Sequence, residues 1–224
     1  MTPERINKIK SVLNQRQNDL FVVADKILKE RNLSAIVRTC DAVGIGTVHS
    51  IKTQSAFYRP YKGTSASAEK WVSLKQHQTV VEPLADFKQN GFQVVAAHFC
   101  EESIDYRQID YTKPTILLMG SEIDGVSPEA RPYCDATITI PMMGMVESFN
   151  VSVACAIILS EAQRQRQHKD MYAQRSISKA DFDTLYFEWA YPKLKKFCDD
   201  RGLSYPAVRE DGYLAESGNS FGGV

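Results

Sequence analysis

Three short segments of the chain combine polar side chains with glycines or small residues, as ligand sites do. The first holds Asn32, Ala35 and Arg38 at helical spacing among apolar residues. An arginine with apolar neighbours either extends to solvent or is held by an acidic or phosphate partner. Asn32 is also a natural helix N-cap, and Gly44 a natural C-terminal stop, so a structural role and a binding role both stay open.

The second segment joins an apolar run, residues 115–119, to a loop with the pattern Gly120-x-Glu122-x-x-Gly125. Loops at the carboxyl ends of parallel strands are where α/β sheets bind ligands, and glycine lets the backbone approach a ligand closely. A plain turn that carries a solvated glutamate accounts for the same pattern. The segment is therefore a candidate site only in combination with the other two segments.

The third segment is the most informative, and runs from Ile140 through a methionine-rich loop to an apolar helix expected from about Ser148. Ser148 and Asn150 are both suited to a helix N-cap. Three methionines in one loop indicate a soft apolar pocket. The sequence contains neither the Gly-x-Gly-x-x-Gly fingerprint nor a Walker lysine loop, which disfavours nicotinamide and nucleoside-triphosphate enzymes.

Alternating strands and helices must position these segments. The patterns predict strands over 20–24, 47–51, 92–98, 115–119 and 136–140, and helices over 33–43, 83–89 and 128–133. This alternation predicts an α/β fold with a mostly parallel sheet and helices on both faces. The 224 residues divide into a helical arm (1–18, begun by Thr2-Pro3), a core (19–162) and a helical extension (163–224), which has a capping box at Ser178-x-x-Asp181 and a flexible tail.

Composition constrains the compartment and the partners. The five cysteines are scattered and odd in number, which is typical of a reducing compartment, and the four scattered histidines predict no metal site. We find neither a signal peptide nor an apolar run of membrane-spanning length, so we expect a soluble cytoplasmic protein. Basic residues are in excess before and after an acidic middle, which suits either a polyanion or solvated helix faces.

Taken in order, the three segments resemble the motifs of the SPOUT superfamily of S-adenosylmethionine-dependent RNA methyltransferases. The resemblance is to the TrmH type, which methylates the ribose 2′-hydroxyl of guanosine-18 in tRNA, and it extends from the first helix to about Tyr205. The third motif is the specific one, although Phe149 stands where leucine is usual. The resemblance implies S-adenosyl-L-methionine as the cofactor, tRNA as a partner, a homodimer, and a trefoil knot in the C-terminal part of the core.

The resemblance also implies the site residues. The catalytic set comprises Arg38, Asn32, Glu122, Ser148 and Asn150. The cofactor pocket comprises Ala97, Met119, Gly120, Ile140, Met145 and Phe149. Basic residues on the flanks are expected to contact RNA phosphates, namely Arg5, Lys8, Arg16, Arg164, Arg166, Lys169 and Arg175. An aromatic and basic segment with Arg59 and Lys62 suits either stacking on an unpaired tRNA base or an ordinary surface loop.

The expected chemistry leaves the proton acceptor open. A guanidinium does not lose its proton in proteins, so Arg38 is expected to stabilise charge at the hydroxyl and to hold a phosphate. Asn32 is expected to orient Arg38 or the ribose, and Glu122 to fix its loop or neutralise Arg38. Two alternatives stay open: a 2′-O-methyltransferase that acts on ribosomal RNA, and a non-catalytic RNA-binding protein on the same fold. The helices after Ser178 favour tRNA, because they belong to the tRNA-type resemblance.

Overall fold

The computed structural model describes residues 2–51, 68–121 and 125–215. The chain forms two compact units: a central unit, Gln17–Met171, and a terminal unit that joins Met1–Arg16 to Tyr172–Val224. The predicted core boundary at residue 162 lies inside a helix that continues to His168. The domain boundaries 1–18, 19–162 and 163–224 stay a prediction.

The central unit is built on a parallel sheet. Its strands in the described part of the chain are β1 (Leu20–Ala24), β2 (Thr47–Ile51), β3 (Ser73–His77), β4 (Gln93–Ala97), β5 (Ile104–Asp105), β6 (Thr115–Met119) and β7 (Ala136–Thr139). Their order across the sheet is β3-β2-β1-β6-β4-β7-β5, and every pairing is parallel. The predicted α/β class is confirmed, whereas the trefoil knot stays a prediction.

The helices are α1 (Pro3–Asn14), α2 (Glu30–Ala42), α3 (Val81–Gln89), α4 (Val151–His168), α5 (Lys179–Ala190) and α6 (Pro192–Asp199). Short 3-10 helices cover Ala68–Lys70, Tyr106–Gln108 and Pro128–Tyr133. The last of these was predicted as an α-helix, but Pro132 inside it lacks the N–H that an α-helix requires. Among the described residues, we find no helix with the length and apolar character needed to span a bilayer.

Both starts that were predicted for the site helices are wrong by a few residues. Helix α2 begins at Glu30 after Lys29, which makes no side-chain cap, so Asn32 lies inside the helix and is not its N-cap. Helix α4 begins at Val151 with Asn150 as N-cap, and not near Ser148. Of the two residues suited to the N-cap, Asn150 holds that position, and Ser148 lies two residues before it.

The sheet buries both of its faces. Alternate residues of β1 point to opposite sides, so Val22 belongs to a core with α2 and α4, and Val23 to a second core with α3. Leu33 and Leu159 pack in the first core, and Leu84 packs in the second. The helices therefore cover both faces, as predicted, and the carboxyl ends of the strands stay open at one edge.

The terminal unit is helical. Ile6, Ile9 and Leu13 form the buried face of α1, as their spacing predicts, and α1 packs against α5. The capping box before α5 is confirmed: Ser178 Oγ accepts from the N–H of Asp181 at 3.0 Å. This unit is therefore held by an apolar helix face and by a capping signal that the sequence displays.

Candidate active site

A cleft opens at the carboxyl ends of β4, β6 and β7, with a volume of about 340 Å³. This size is within the range of small-molecule sites, about 300–1,000 Å³. Five of the six predicted cofactor-pocket residues line it: Ala97, Met119, Gly120, Ile140 and Phe149. Met145 does not, because its side chain is 100% exposed. The cleft also contains residues that the sequence did not indicate, among them His98, Phe99, Ser121 and Glu147.

A glycine turn forms one wall of the cleft. Ser121 and Gly125 exchange backbone hydrogen bonds of 2.9 and 3.1 Å. A Cβ on Gly120 would lie 2.2 Å from the carbonyl carbon of Gly125, so only glycine permits this closure. Gly125 also has φ +68°, where side chains are strained. The predicted Glu122 lies between them, outside the described residues.

Asp25 braces both ends of this turn, and sequence reasoning missed it. Its N–H donates to Met119 O at 2.8 Å, and its Oδ2 accepts from the N–H of Ser127 at 2.7 Å. The side chain is fully buried, and Oδ1 has no hydrogen-bond partner among the described residues. The only sequence signal was a carboxylate placed directly after a buried strand.

A pair of asparagines connects helices α2 and α4 beside the cleft. Asn150 Oδ1 accepts from the N–H of Ser152 at 2.9 Å and so caps α4, while its Nδ2 donates to Asn32 Oδ1 at 3.2 Å. Asn32 is buried, with 9% of its surface exposed. Two residues 118 positions apart therefore connect the first turn of α2 to the start of α4. Ser148, just before this cap, lines the cleft.

Arg38 lies on the exposed side of α2, beyond the turn that holds Asn32. Among the described residues it has no hydrogen-bond or ion-pair partner, so its guanidinium is available to an external anion. The structure thus pairs Asn32 with Asn150, and it places Asn150 in the chain between Phe149 and Val151, which line the cleft. Arg38 lies on helix α2, which this asparagine pair connects to the start of α4.

Comparison with known proteins decides the family. The model of the SpoU rRNA methylase family matches residues 19–160, and that of the SpoU rRNA methylase C-terminal family matches 164–217. The chain belongs to the SpoU methylase family. The predicted resemblance to TrmH-type SPOUT enzymes is confirmed.

Relatives and solved structures match between 70% and 96% of this chain. The tRNA (guanosine(18)-2'-O)-methyltransferase of Escherichia coli K12 is 43% identical over 216 residues, which cover 96% of this chain and 94% of that protein. The crystal structure of the A. aeolicus TrmH/SpoU tRNA modifying enzyme aligns with a TM-score of 0.81 and 43% identity, over 85% of this chain and 97% of that one. The SpoU methyltransferase AviRb from Streptomyces viridochromogenes, solved with AdoMet, aligns with a TM-score of 0.62 and 27% identity, over 70% and 64%.

Two of the basic residues predicted to contact RNA are buried in this SpoU protein. Arg166 is 0% exposed, and its guanidinium donates to Tyr111 O, Gln17 Oε1 and Asp19 Oδ1 at 2.9, 3.0 and 2.5 Å. Arg16 is 2% exposed and lies over the Trp189 ring. The predicted phosphate contacts of Arg166 and Arg16 are therefore wrong, because neither guanidinium reaches solvent.

The other predicted RNA contacts have different environments. Five of these side chains are exposed, namely Arg5, Lys8, Arg164, Lys169 and Arg175. Arg164 pairs with Glu161, and Arg175 lies over the Phe182 ring at 5.1 Å. Arg59 and Lys62 lie outside the described residues. The exposed five remain candidates for phosphate contact.

Nucleophilic and metal chemistry find little support at the site. Burial raises the pKa of Cys155, on the inner face of α4, to about 12, so its thiol stays protonated. None of the five cysteines forms a disulfide. Within the described ranges, no three His, Cys, Asp or Glu side chains gather in a way that could hold a metal ion.

Proposed function

We propose that this protein transfers a methyl group from S-adenosyl-L-methionine to the ribose 2′-hydroxyl of guanosine-18 in tRNA. The observation that carries the proposal is the cleft at the carboxyl ends of β4, β6 and β7, together with the Asn32–Asn150 pair that joins it to the helix of Arg38. Relatives that carry this activity in their names match 96% of the chain, which supports the same substrate.

The cleft fits the methyl donor in size and in chemistry. Its walls combine the apolar side chains of Ile140 and Phe149 with strand-end backbone around Gly120. Apolar walls suit an adenine ring, and backbone groups at strand ends suit ribose and amino-acid atoms. Ala97, Met119, Gly120, Ile140 and Phe149 would hold the donor. When bound, S-adenosylmethionine supplies a methyl group activated by a sulfonium, which is a good leaving group.

The protein's own residues must place the hydroxyl and manage its charge. Arg38 stays protonated, so its part is to stabilise negative charge at the 2′-oxygen and to grip a neighbouring phosphate. Asn32 and Asn150 keep α2 and the cleft in one arrangement. Ser148 is positioned to hydrogen-bond in the cleft, and Glu122 would hold its loop or balance Arg38.

The exposed basic residues supply a grip on tRNA that does not depend on sequence. Arg5, Lys8 and Arg175 belong to the terminal unit, and Arg164 and Lys169 to the central unit. Long cationic side chains of this kind contact phosphates and fix the position of the RNA. The tRNA substrate and five cysteines that form no disulfide support a cytoplasmic location.

The outer face of α4 supports a homodimer. Val153 is 45% exposed, and Ala156 and Ile157 line an open groove with Tyr106, opposite the buried face of Cys155 and Leu159. A helix that is apolar on both sides needs cover on both, and an exposed apolar face marks an interaction site. A second copy of this chain would supply that cover.

The deciding experiment is nucleoside mass spectrometry of bulk tRNA from a strain that lacks the gene. We expect 2′-O-methylguanosine to disappear from tRNA and to return with the wild-type gene but not with Arg38→Ala. A transcript with adenosine in place of guanosine-18 is the control substrate in vitro. Loss of the modification from ribosomal RNA, with tRNA unaffected, would contradict the proposal and favour the ribosomal substrate.

A further inference from the structure

Transfer of a methyl group to a ribose hydroxyl requires an acceptor for the hydroxyl proton, and Arg38 cannot be that acceptor. The inference that follows rests on the proposed function and adds the missing group. Two ionisable side chains occur among the described residues that line the cleft: His98 and Glu147. His98 is half-buried at the end of β4, whereas Glu147 is exposed on the loop before α4.

The backbone of His98 is held from two sides. Its N–H donates to Ile138 O of β7 at 3.2 Å, and its carbonyl accepts from Ser103 Oγ at 2.9 Å. The same hydroxyl accepts from the N–H of Cys100 at 2.9 Å, which closes the loop after β4. The imidazole therefore projects from a fixed support and not from a free loop, as precise placement of a reacting group requires.

The imidazole packs directly on the glycine turn. A Cβ on Gly125 would lie 2.6 Å from His98 Nδ1 and 2.8 Å from Cε1, so the absence of a side chain there makes room for the ring. No hydrogen bond to the ring is found within the described part of the chain. A half-buried imidazole in the cleft thus has a rigid packing surface, and its nitrogens have no hydrogen-bond partner among the described residues.

We propose that His98 is a catalytic residue that accepts the proton of the 2′-hydroxyl. The 2′-oxygen forms a bond to the methyl carbon, the carbon–sulfur bond of the donor breaks with its electron pair left on sulfur, and the hydroxyl proton moves to an imidazole nitrogen. The imidazolium then releases that proton to water. Arg38 stabilises the developing negative charge on the oxygen, so the two residues have separate tasks.

The charge balance of the reaction favours an imidazole at this place. The sulfonium loses its positive charge when it becomes a thioether, and an imidazolium at His98 replaces that charge within the same cleft. Neutral imidazole is also the side chain best matched to proton transfer near neutral pH. Glu147 and the Ser121 and Ser148 hydroxyls face the cleft from the loops packed around it, and of these Glu147 is the rival acceptor.

The test compares His98→Gln with Glu147→Gln in the full-length protein. The single-turnover rate of methyl transfer at saturating tRNA is measured from pH 5.5 to 9, with His168→Gln, an exposed change at the end of α4, as the matched control. For His98→Gln we expect a rate loss of about 10²–10⁴ and loss of the acid limb of the profile. Glu147→Gln and His168→Gln should keep that limb. In a further variant, His98→Ala, added imidazole should restore part of the rate.

Two binding measurements separate catalysis from cofactor binding. Calorimetry should give His98→Gln nearly the wild-type affinity for S-adenosylhomocysteine, and the His98 ring resonances in NMR should shift when that ligand binds. A wild-type acid limb in His98→Gln, its loss in Glu147→Gln, or a fall in affinity that accounts for the rate loss would each overturn the proposal. Absence of methyl transfer to tRNA by the wild-type protein would instead contradict the proposed function.

Discussion

Asn150 caps helix α4 with its side-chain oxygen and, through its side-chain nitrogen, donates to Asn32 on helix α2. The two functions use different atoms of one amide. This bond joins the first and third sequence motifs across 118 positions, and Asn150 stands in the chain between Phe149 and Val151, which line the cleft. The N-terminus of α4 is therefore connected to α2 through one side chain. A substitution that replaces only the side-chain nitrogen of Asn150 tests this connection.

Asn150→Asp should separate the two functions. A carboxylate can still accept from the N–H of Ser152, and negative charge at a helix N-terminus is favourable, so we expect the free energy of unfolding to change little. The lost donor leaves an oxygen opposite Asn32 Oδ1, which should displace α2 and lower the rate of methyl transfer. Urea unfolding and single-turnover kinetics measure the two effects.

Ser178→Ala provides the control, because it removes the N-cap of α5 at a cost of about 1 kcal/mol without touching the cleft. Its affinity for S-adenosylhomocysteine should equal that of the wild type. Equal activity losses in Asn150→Asp and Ser178→Ala would show that helix stability, and not the asparagine pair, governs the rate.

The sequence predicted the strands that have strong apolar patterns, and missed those that do not. Strands β1, β2 and β6 have the predicted bounds because most of their residues are apolar or β-branched. Strand β3, Ser73–His77, contains a single apolar residue and forms at the sheet edge through backbone pairing with β2. Such an edge strand has no hydrophobic signal to predict it.

The errors at the site have a common physical origin in long-range contacts. Arg166 belongs to a basic helical run that resembles a solvated face, but its partners Gln17 and Asp19 lie almost 150 positions away. His98 and Asp25 acquire their importance only from the glycine turn that the sheet brings beside them. Local patterns therefore predicted the motifs and the fold, whereas the pairing of side chains required the structure.

Arg166→Met should destabilise the protein without a specific effect on RNA affinity. The substitution leaves Asp19 Oδ1, Gln17 Oε1 and the Tyr111 carbonyl without their donor, so we expect a loss of about 3 kcal/mol in the free energy of unfolding. Arg164→Met, on the same helix, breaks a partly exposed ion pair with Glu161 three residues earlier and should cost under about 1 kcal/mol. Unfolding in urea distinguishes them. A stable Arg166→Met protein with weakened tRNA binding would contradict this prediction and support direct contact between Arg166 and RNA.

Acid should destabilise the protein through His49. Burial, the neighbouring His77 and Lys75 together lower the pKa of His49 to about 4, and its Nδ1 lies 2.9 Å from His77 Nε2. Above about pH 6.5 the ring is neutral in both the folded and the unfolded chain. Between about pH 6.5 and 4 only the unfolded chain takes up the proton, so the free energy of unfolding should fall by roughly 2–3 kcal/mol as the pH falls.

The matched variants are His49→Gln and His168→Gln. The first removes the buried group and should flatten the dependence of stability on pH between 6.5 and 4, whereas the second changes an exposed histidine and should keep it. Urea unfolding at half-unit pH steps measures both. The same slope in His49→Gln and wild type would assign the acid sensitivity to other groups.

Ile157→Arg should convert the proposed dimer to a monomer. The change places a long charged side chain beside Val153 and Ala156, where the second copy would have to pack against it and bury its charge. Light scattering at micromolar concentration should then give a mass near 25.2 kDa, and the wild type twice that mass. Gln89→Arg, at an exposed position at the end of α3, is the control and should stay dimeric. A wild-type monomer would contradict the homodimer.

Arg38→Ala should abolish methyl transfer while affinity for S-adenosylhomocysteine stays nearly intact. Arg38 is exposed on α2 and is not among the residues that line the cleft, so its loss leaves the donor site unchanged. A group that stabilises charge at a reacting oxygen typically contributes about 10²–10³ in rate, and we expect a loss of that size at saturating tRNA.

Arg38→Lys should restore little, because an ammonium lacks the planar fork that grips a phosphate and the hydroxyl together. Calorimetry and single-turnover rates provide the two readouts, and Arg131→Ala, an exposed arginine in the 3-10 helix at Pro128–Tyr133, is the control. Near-normal turnover in Arg38→Lys would show that Arg38 acts only as a positive charge. Parallel losses of rate and of donor affinity in Arg38→Ala would show instead that Arg38 contributes to binding of the donor.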